Sequence, residues 1–140
     1  MKKVKKAGCI LINIPNKAVS SQPLVEIPRE KLNDFSFPKG HLEKNETLIE
    51  CAIRETKEET KRDCVLLSNE PIYVDKYLTS QEDVTLYFYL AKDIGKSDNT
   101  SLDTHPTFEI PYDEVYDKLS YQNLKTVWNN IKNEVNNYFW

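Results

Sequence analysis

A group of acidic residues with helical spacing constrains the fold of this chain more than any other feature. Glu55, Glu58 and Glu59 lie within an arc of about 100° if residues 47–61 form an α-helix. Like charges at such spacing destabilise a helix, so a cation is expected beside them. Clustered carboxylates suit Mg²⁺, or alternatively Mn²⁺. The spacing therefore predicts a metal-binding helix, whereas a solvated acidic surface is the simpler interpretation of these glutamates taken alone.

Further residues at fixed offsets favour the metal site. The order is Gly40, five residues, Glu46, seven residues, Arg54, and then the acidic group. By this pattern the chain resembles the Nudix hydrolases, whose sequence box corresponds to residues 40–62 here and is far more specific than a lone glycine motif. The resemblance implies an enzyme that hydrolyses a nucleoside diphosphate linked to another moiety.

Three residues depart from the Nudix pattern. Thr56 and Arg62 replace aliphatic residues, and Lys61 replaces the glycine that usually ends the helix in a left-handed conformation. Because lysine adopts that conformation only at a cost, we expect the helix to continue to Arg62 and Asp63. None of the three is an expected metal ligand, so the metal site is expected to survive them.

The size and charge of the chain bound its class. We expect one domain over residues 1–140, which is enough chain for a single hydrophobic core. A net charge of −3 provides no general attraction for nucleic acid or anionic membranes. The apolar run after the basic N-terminus is too short to cross a membrane, and the cysteines lack the spacing of a disulfide framework or zinc site. We therefore expect a cytoplasmic protein without membrane contact, and we interpret it as a monomer.

Hydrophobic patterning predicts an α+β domain. The resemblance adds the Nudix arrangement, an α/β/α sandwich with a mixed central sheet. We predict a loop over residues 91–107, and in the first helix we expect Thr47 to cap the N-terminus. The side of that helix expected to pack on the sheet consists of Ile49, Ile53, Thr56 and Thr60, with Ala52 beside them. Strands are predicted at 7–13, 23–27, 34–37, 64–67, 71–78, 84–91 and 108–111, and helices at 47–61, 111–119 and 121–136.

The resemblance also implies roles for the box residues. Glu55 and Glu59 are the expected principal ligands of Mg²⁺, and Glu58 is a further ligand. The backbone carbonyl of Lys39 is expected to complete the metal site from the preceding loop. Bound Mg²⁺ would neutralise phosphate charge and support the attack of water on a phosphorus atom.

Arg54 is expected to act as a structural clamp. It can reach back to Glu46 in a charge-assisted pair and so fix the loop that begins at Gly40 onto the helix. It also lies one helical turn from Glu58, which places it among the candidate catalytic residues. The alternative interpretation is an exposed helix salt bridge worth a few tenths of a kcal/mol.

The general base is left open by the sequence. In different Nudix branches a glutamate of the box, here Glu58 or Glu59, or an acid from a distant loop fills this role. Asp103 is the loop candidate and Glu109 its competitor, although an ordinary turn acid explains either equally well. His105 precedes a proline and is interpreted as a turn residue.

The residues just before the box give the best indication of substrate. The string Pro38-Lys39-Gly40-His41 is similar to that of the asymmetric diadenosine tetraphosphate hydrolases, in which lysine and histidine flank the polyphosphate. Lys39 and His41 are therefore expected to bind phosphate oxygens. Tyr87 and Tyr121 are candidates to stack on a nucleobase.

Three hypotheses for the function follow. The first is Mg²⁺-dependent hydrolysis of a dinucleoside polyphosphate such as diadenosine tetraphosphate, which gives ATP and AMP. The second is hydrolysis of capped or triphosphorylated RNA 5′ ends, or of diphosphoinositol phosphates. The third is a catalytically inactive module that binds nucleotides and regulates a partner, and the intact acidic residues argue against it.

Overall fold

One mixed sheet organises the part of the chain that the computed structural model describes, namely residues 1–14, 24–31, 34–98 and 106–139. Helices lie on both of its faces, which confirms the predicted α+β class and its sandwich arrangement. The strands are β1 (Lys2–Asn13), β2 (Leu24–Lys31), β3 (Asp34–Phe35), β4 (Lys39–His41), β5 (Arg62–Leu66), β6 (Tyr73–Leu78), β7 (Glu82–Lys96) and β8 (Thr107–Pro111). The helices are α1 (Leu48–Thr60), a 3₁₀ turn (Tyr112–Glu114), α2 (Val115–Lys118) and α3 (Gln122–Phe139).

The two longest strands, β1 and β7, run parallel at the centre of the sheet. Antiparallel β2 and β4 occupy the other edge of β1, while β5 and β6 share the far edge of β7. Antiparallel β3 and β8 both pair with β2. This topology brings β4, which is only a short strand, next to the middle of β1 and so positions the loop that precedes α1.

Side chains alternate between the two faces of β7 as its sequence predicts. Val84, Leu86 and Phe88 belong to the larger apolar cluster, which we call the α3 face because α3 covers it. Tyr89 and Ala91 belong to the smaller cluster under α1, which we call the α1 face. The apolar side of α3 packs on the α3 face, and each of its members is at most 1% exposed: Leu124, Val127, Trp128, Ile131 and Val135.

Several elements are longer than predicted because their partners come from distant parts of the chain. The strand predicted at 84–91 runs from Glu82 to Lys96, and its C-terminal part pairs with β5 in the segment that was predicted to be a loop. The strand predicted at 7–13 begins at Lys2, since β7 pairs with it from there. Local sequence patterns do not contain these pairings.

Helix α1 begins as expected and ends differently. Thr47 caps its N-terminus in a capping box, in which the Thr47 side chain accepts from the Glu50 amide and the Glu50 side chain accepts from the Thr47 amide. The expected continuation to Arg62 and Asp63 is wrong, because the helix ends at Thr60 and Lys61 takes the left-handed conformation with φ 62°. The pairing of β5 with β7 from the next residue onwards enforces this turn.

The buried side of α1 agrees with the predicted row only in part. Ala52, Thr56 and Thr60 are buried as expected, together with Cys51, whereas Ile49 and Ile53 are only half-buried. Small side chains on the buried side let the helix axis approach the sheet closely. Of the helices within the described ranges, none has the length and apolar character needed to cross a bilayer.

A cluster of buried charged residues lies near the C-terminal end of α1. The Arg62 Nε donates to Asp93 Oδ2 at 2.8 Å and lies 3.8 Å from Glu26 Oε1. Glu26 is only 3% exposed, and its Oε2 has no hydrogen-bond partner among the described residues. Burial, together with the neighbouring Asp93, raises the pKa of Glu26 to about 9. Glu26 is therefore a neutral acid at neutral pH, and Arg62 compensates mainly Asp93.

Glu26→Gln is expected to stabilise the protein, and increasingly so as the pH rises. Because the pKa of Glu26 is about 9 in the folded chain against an ordinary 4.5, the folded state keeps a proton that the unfolded state releases. The free energy of unfolding of the wild type therefore falls between these two pH values, with a limiting slope of about 1.4 kcal/mol per pH unit. Urea denaturation at about pH 5 and about pH 8 measures the effect. Exposed Glu134→Gln is the control, and parallel pH profiles for wild type and Glu26→Gln would contradict the expectation.

Candidate active site

The candidate site lies where β4 meets α1, and two glycines make this approach possible. A Cβ atom on Gly40 would lie 2.1 Å from the Glu55 carboxyl carbon. A Cβ atom on Gly8, which is opposite Lys39 in the sheet, would lie 1.9 Å from the Pro38 carbonyl oxygen. Both distances are far below van der Waals contact. The obstacle at Gly8 is backbone, so that position needs glycine, whereas a side chain at Gly40 would push the Glu55 carboxylate away from β4. The Glu55 carboxylate is thereby seated directly on the backbone of β4.

Arg54 joins the loop before α1 to the helix. Its Nε donates to Glu46 Oε2 at 2.6 Å and its Nη2 donates to Glu46 Oε1 at 3.0 Å, which is a bidentate pair. The same Nη2 donates to the His41 carbonyl at 3.1 Å. The bond from Arg54 holds the pKa of Glu46 down to about 2, and the Glu46 bond in turn raises the pKa of Arg54. The structure thus brings the residues expected to form the clamp together.

The guanidinium also contacts acids of the helix. Its Nη1 lies 2.8 Å from Glu55 Oε1, 3.4 Å from Glu58 Oε2 and 3.5 Å from Glu43 Oε1. Burial raises the pKa of Glu55 despite the neighbouring Arg54. Including Glu46, one guanidinium faces four carboxylates, so the site carries an excess of negative charge. A further cation there would relieve both the repulsion and the desolvation of Glu55.

Glu59 faces β4 from the last turn of α1. Its Oε2 accepts from the Lys39 amide at 3.1 Å, and its carbonyl accepts from the Thr107 hydroxyl at 3.4 Å. Glu55 therefore lies against Gly40, and Glu59 lies against the neighbouring Lys39 of β4. Their hard oxygen donors fit a divalent cation, although no group of three or more His, Cys, Asp or Glu side chains in the described ranges already has a metal-binding arrangement. In this arrangement Arg54 and the Lys39 amide donate hydrogen bonds to carboxylate oxygens that would otherwise be able to coordinate a metal.

A cavity of about 430 Å³ opens beside Lys39 on the α3 face. The Lys39 Nζ donates to the Ser36 hydroxyl at 3.1 Å. Tyr121, which is 39% exposed, donates its hydroxyl to Asp34 Oδ2 at 3.2 Å. Apolar and aromatic side chains make up most of the wall, as is usual for ligand pockets. The lining residues are Lys39, Tyr77, Leu78, Tyr121, Asn123 and Leu124.

Other candidates lie elsewhere. His41 is exposed and its Nε2 is 3.2 Å from Glu82. Tyr87 packs with the smaller cluster on the α1 face and does not line the cavity. Glu109 accepts from the Asn13 side-chain amide at 2.9 Å and is opposite Glu26 in the sheet. Asp103 and His105 lie outside the residues that the structure describes, so the role predicted for Asp103 stays a prediction.

Sequence reasoning missed three residues that line the cavity, namely Tyr77, Leu78 and Asn123. Tyr77 and Leu78 stand at the end of a correctly predicted strand, where alternation alone marks Tyr77 as core. Asn123 lies in the first turn of α3 and carries no pattern signal. They come together only because β6 and α3 converge across the sheet, which local sequence does not encode.

Glu46→Gln is expected to destabilise the protein at neutral pH by roughly 1 to 2 kcal/mol, because it removes a bidentate, charge-assisted pair. Since the pKa of Glu46 is lowered to about 2 from 4.5, its contribution is present above the ordinary value and is lost as the pH falls through about 2. Urea denaturation at neutral and acidic pH measures both effects. Glu43→Gln is the matched control, since that acid is 67% exposed and makes a single 3.5 Å contact with the same guanidinium. An equal loss of stability in the two variants would overturn the assignment of Glu46 as the clamp.

Comparison with known proteins agrees with this geometry. A family model described as NUDIX domain matches residues 4–128. The C. elegans Ap4A hydrolase superimposes with a TM-score of 0.74 at 18% identity, over 96% of this chain and 99% of that one. The MutT protein from Methanosarcina mazei Go1 gives a TM-score of 0.73 at 12% identity, over 96% of each chain. A NUDIX hydrolase from Nitrosomonas europaea gives 0.71 at 15% identity, over 96% and 91%. No curated protein matches the sequence.

At these identities the structural likeness shows the fold, while the family model shows the membership. Nudix hydrolases generally use divalent metal ions, which agrees with the carboxylates gathered around β4. From the match over most of its length, the chain belongs to the NUDIX domain family and is a phosphoanhydride hydrolase.

Proposed function

We propose that this chain hydrolyses dinucleoside polyphosphates in a Mg²⁺-dependent reaction, with diadenosine tetraphosphate cleaved to ATP and AMP as the representative case. One observation carries the proposal. Lys39 belongs both to the acidic site, where its amide binds Glu59 at 3.1 Å, and to the lining of the cavity of about 430 Å³. A polyphosphate lying across Lys39 would therefore have its phosphates at the carboxylates and a nucleoside in the cavity.

The wall of the cavity suits a nucleoside. Tyr77 and Tyr121 offer aromatic rings, and stacking of a base on such a ring is worth about 1 to 3 kcal/mol. Leu124 is 1% exposed and closes the cavity with apolar surface. The hydrogen bond from Tyr121 to Asp34 fixes that ring before a ligand arrives, which reduces the entropy lost on binding.

The acidic residues would hold the metal. Glu55, Glu58, Glu59 and the Lys39 carbonyl are the proposed ligands of Mg²⁺, which when bound supplies charge neutralisation and an activated water. Arg54 keeps Glu55 and Glu58 on the side of the helix that faces β4, by contacts of 2.8 and 3.4 Å. The Glu58 side chain is 42% exposed, against 16% for Glu55, so it can meet an attacking water, and within the box it is the proposed general base.

Phosphate contacts come from β4 itself. Lys39 and His41 are two residues apart in the strand, so their side chains leave the same face. The Lys39 ammonium is a compact cation for phosphate oxygens, and the exposed His41 ring can donate a hydrogen bond once it leaves Glu82. That the C. elegans neighbour is an Ap4A hydrolase supports the same substrate class.

Hydrolysis of RNA 5′ ends is the second candidate, and a separate groove favours it. Lys3, Lys5 and Lys76 line a depression of about 300 Å³ on the α1 face, together with one acid, Asp83. Its net positive charge would attract the phosphates of a nucleic-acid strand. The groove is small and contains no aromatic side chain for stacking, so dinucleoside polyphosphates remain the proposal.

The substrate assay is the direct test. With Mg²⁺ present, the purified protein is expected to cleave diadenosine tetraphosphate faster than capped RNA or diphosphoinositol phosphate, as followed by chromatography of the products. Glu59→Gln should lower the rate by roughly 100-fold or more, because it removes a proposed metal ligand and candidate base. Exposed Glu134→Gln is the control. Cleavage of capped RNA alone would exclude the proposal, and no turnover of any of the three would favour the inactive module.

Mg²⁺ is expected to raise the melting temperature of the wild type, because a ligand that binds only the folded state stabilises it, by about 2.7 kcal/mol at 100 times its Kd. Thermal denaturation with and without Mg²⁺ measures the shift. Glu59→Gln should reduce it strongly, whereas Glu134→Gln should leave it unchanged. Equal shifts in wild type and Glu59→Gln would place the metal somewhere other than at α1.

A further inference from the structure

We propose that Asn123, held in place by Asp75, recognises adenine in the cavity beside Lys39. The inference rests on the proposed function, in which that cavity receives a nucleoside. It goes beyond that function because it names a residue that selects the base, whereas stacking on tyrosine accepts any base.

The amide of Asn123 has a fixed orientation. Its Nδ2 donates to Asp75 Oδ2 at 3.1 Å, across a separation of 48 residues between α3 and β6. A carboxylate can only accept hydrogen bonds, so the nitrogen and not the oxygen must face Asp75. The bond occupies one of the two Nδ2 hydrogens. The Oδ1 acceptor and the second hydrogen remain, and they lie side by side when Asp75 takes the hydrogen that is directed away from Oδ1.

The position of this amide would allow it to distinguish one base from another. Asp75 and Tyr77 are two residues apart in β6, so both side chains leave the same face of the strand, and Tyr77 lines the cavity. Asn123 is the lining residue that offers a donor and an acceptor on one plane, whereas the Lys39 ammonium only donates. The polar edge of a base stacked in the cavity would therefore meet Asn123.

Adenine fits this edge better than guanine. Adenine has an amino donor at N6 next to an acceptor at N7, and the amide of asparagine pairs with the two atoms at once. The corresponding edge of guanine has two acceptors, O6 and N7, so the Asn123 Oδ1 would face a like acceptor. A good bidentate pair discriminates bases by roughly 10- to 100-fold in affinity.

The test compares the affinities of AMP and GMP by calorimetry, which needs no turnover. Wild type should bind AMP at least about tenfold more tightly than GMP. Asn123→Leu keeps the volume of the side chain and removes its polar edge, so it should bring the two affinities close together, mainly by weakening AMP. Asn129→Leu, at an exposed position of the same helix, should leave the ratio unchanged.

Asp75→Asn tests the positioning role and serves as a second variant if Asn123→Leu does not fold. An amide in place of the carboxylate can donate as well as accept, so Asn123 can turn over and the ratio of AMP to GMP affinity should fall without reaching unity. Equal affinities for AMP and GMP in wild type, or a ratio that survives Asn123→Leu and Asp75→Asn, would overturn the inference. A preference for AMP without hydrolysis of diadenosine tetraphosphate would support the inference and refute the proposed function.

Discussion

The candidate site depends on a single guanidinium. Arg54 binds both oxygens of Glu46 in the loop, the carbonyl of His41 at the end of β4, and Glu55 and Glu58 on its own helix. Planarity and five donors allow it to make all of these bonds at once, which lysine would not do. The positions of the loop, the strand and the acids are thus fixed relative to one another by one side chain.

Close packing of β4 against α1 and β1 also holds the site together. Gly40 and Gly8 allow the backbone of β4 to approach the Glu55 carboxylate on one side and β1 on the other. The Lys39 amide then reaches Glu59 at 3.1 Å. Each of these contacts involves the backbone of β4.

The sequence predicts α1, its N-terminal cap and the alternation of β7, because each depends on neighbours within a few residues. It does not predict the left-handed Lys61, whose conformation is imposed by the pairing of β5 with β7. Nor does it predict the buried acid Glu26, which only the fold brings to Asp93 and Arg62. Among the site residues, the box identifies the acids beside β4 by their spacing. The cavity residues Tyr77 and Asn123 are contributed by β6 and α3, so no local pattern joins them.

Lys39 takes part in two kinds of contact through two different parts of the residue. Its amide binds an acid of α1, its ammonium group donates to the Ser36 hydroxyl, and the residue lines the cavity. A nucleotide that draws the side chain towards itself therefore acts on the same backbone unit that meets Glu59. By thermodynamic linkage, if a bound nucleotide changes the affinity of the acidic site for a cation by some factor, a bound cation changes the affinity for the nucleotide by the same factor. Under the proposed function, the affinities for the cation and for the nucleotide would therefore be linked through Lys39.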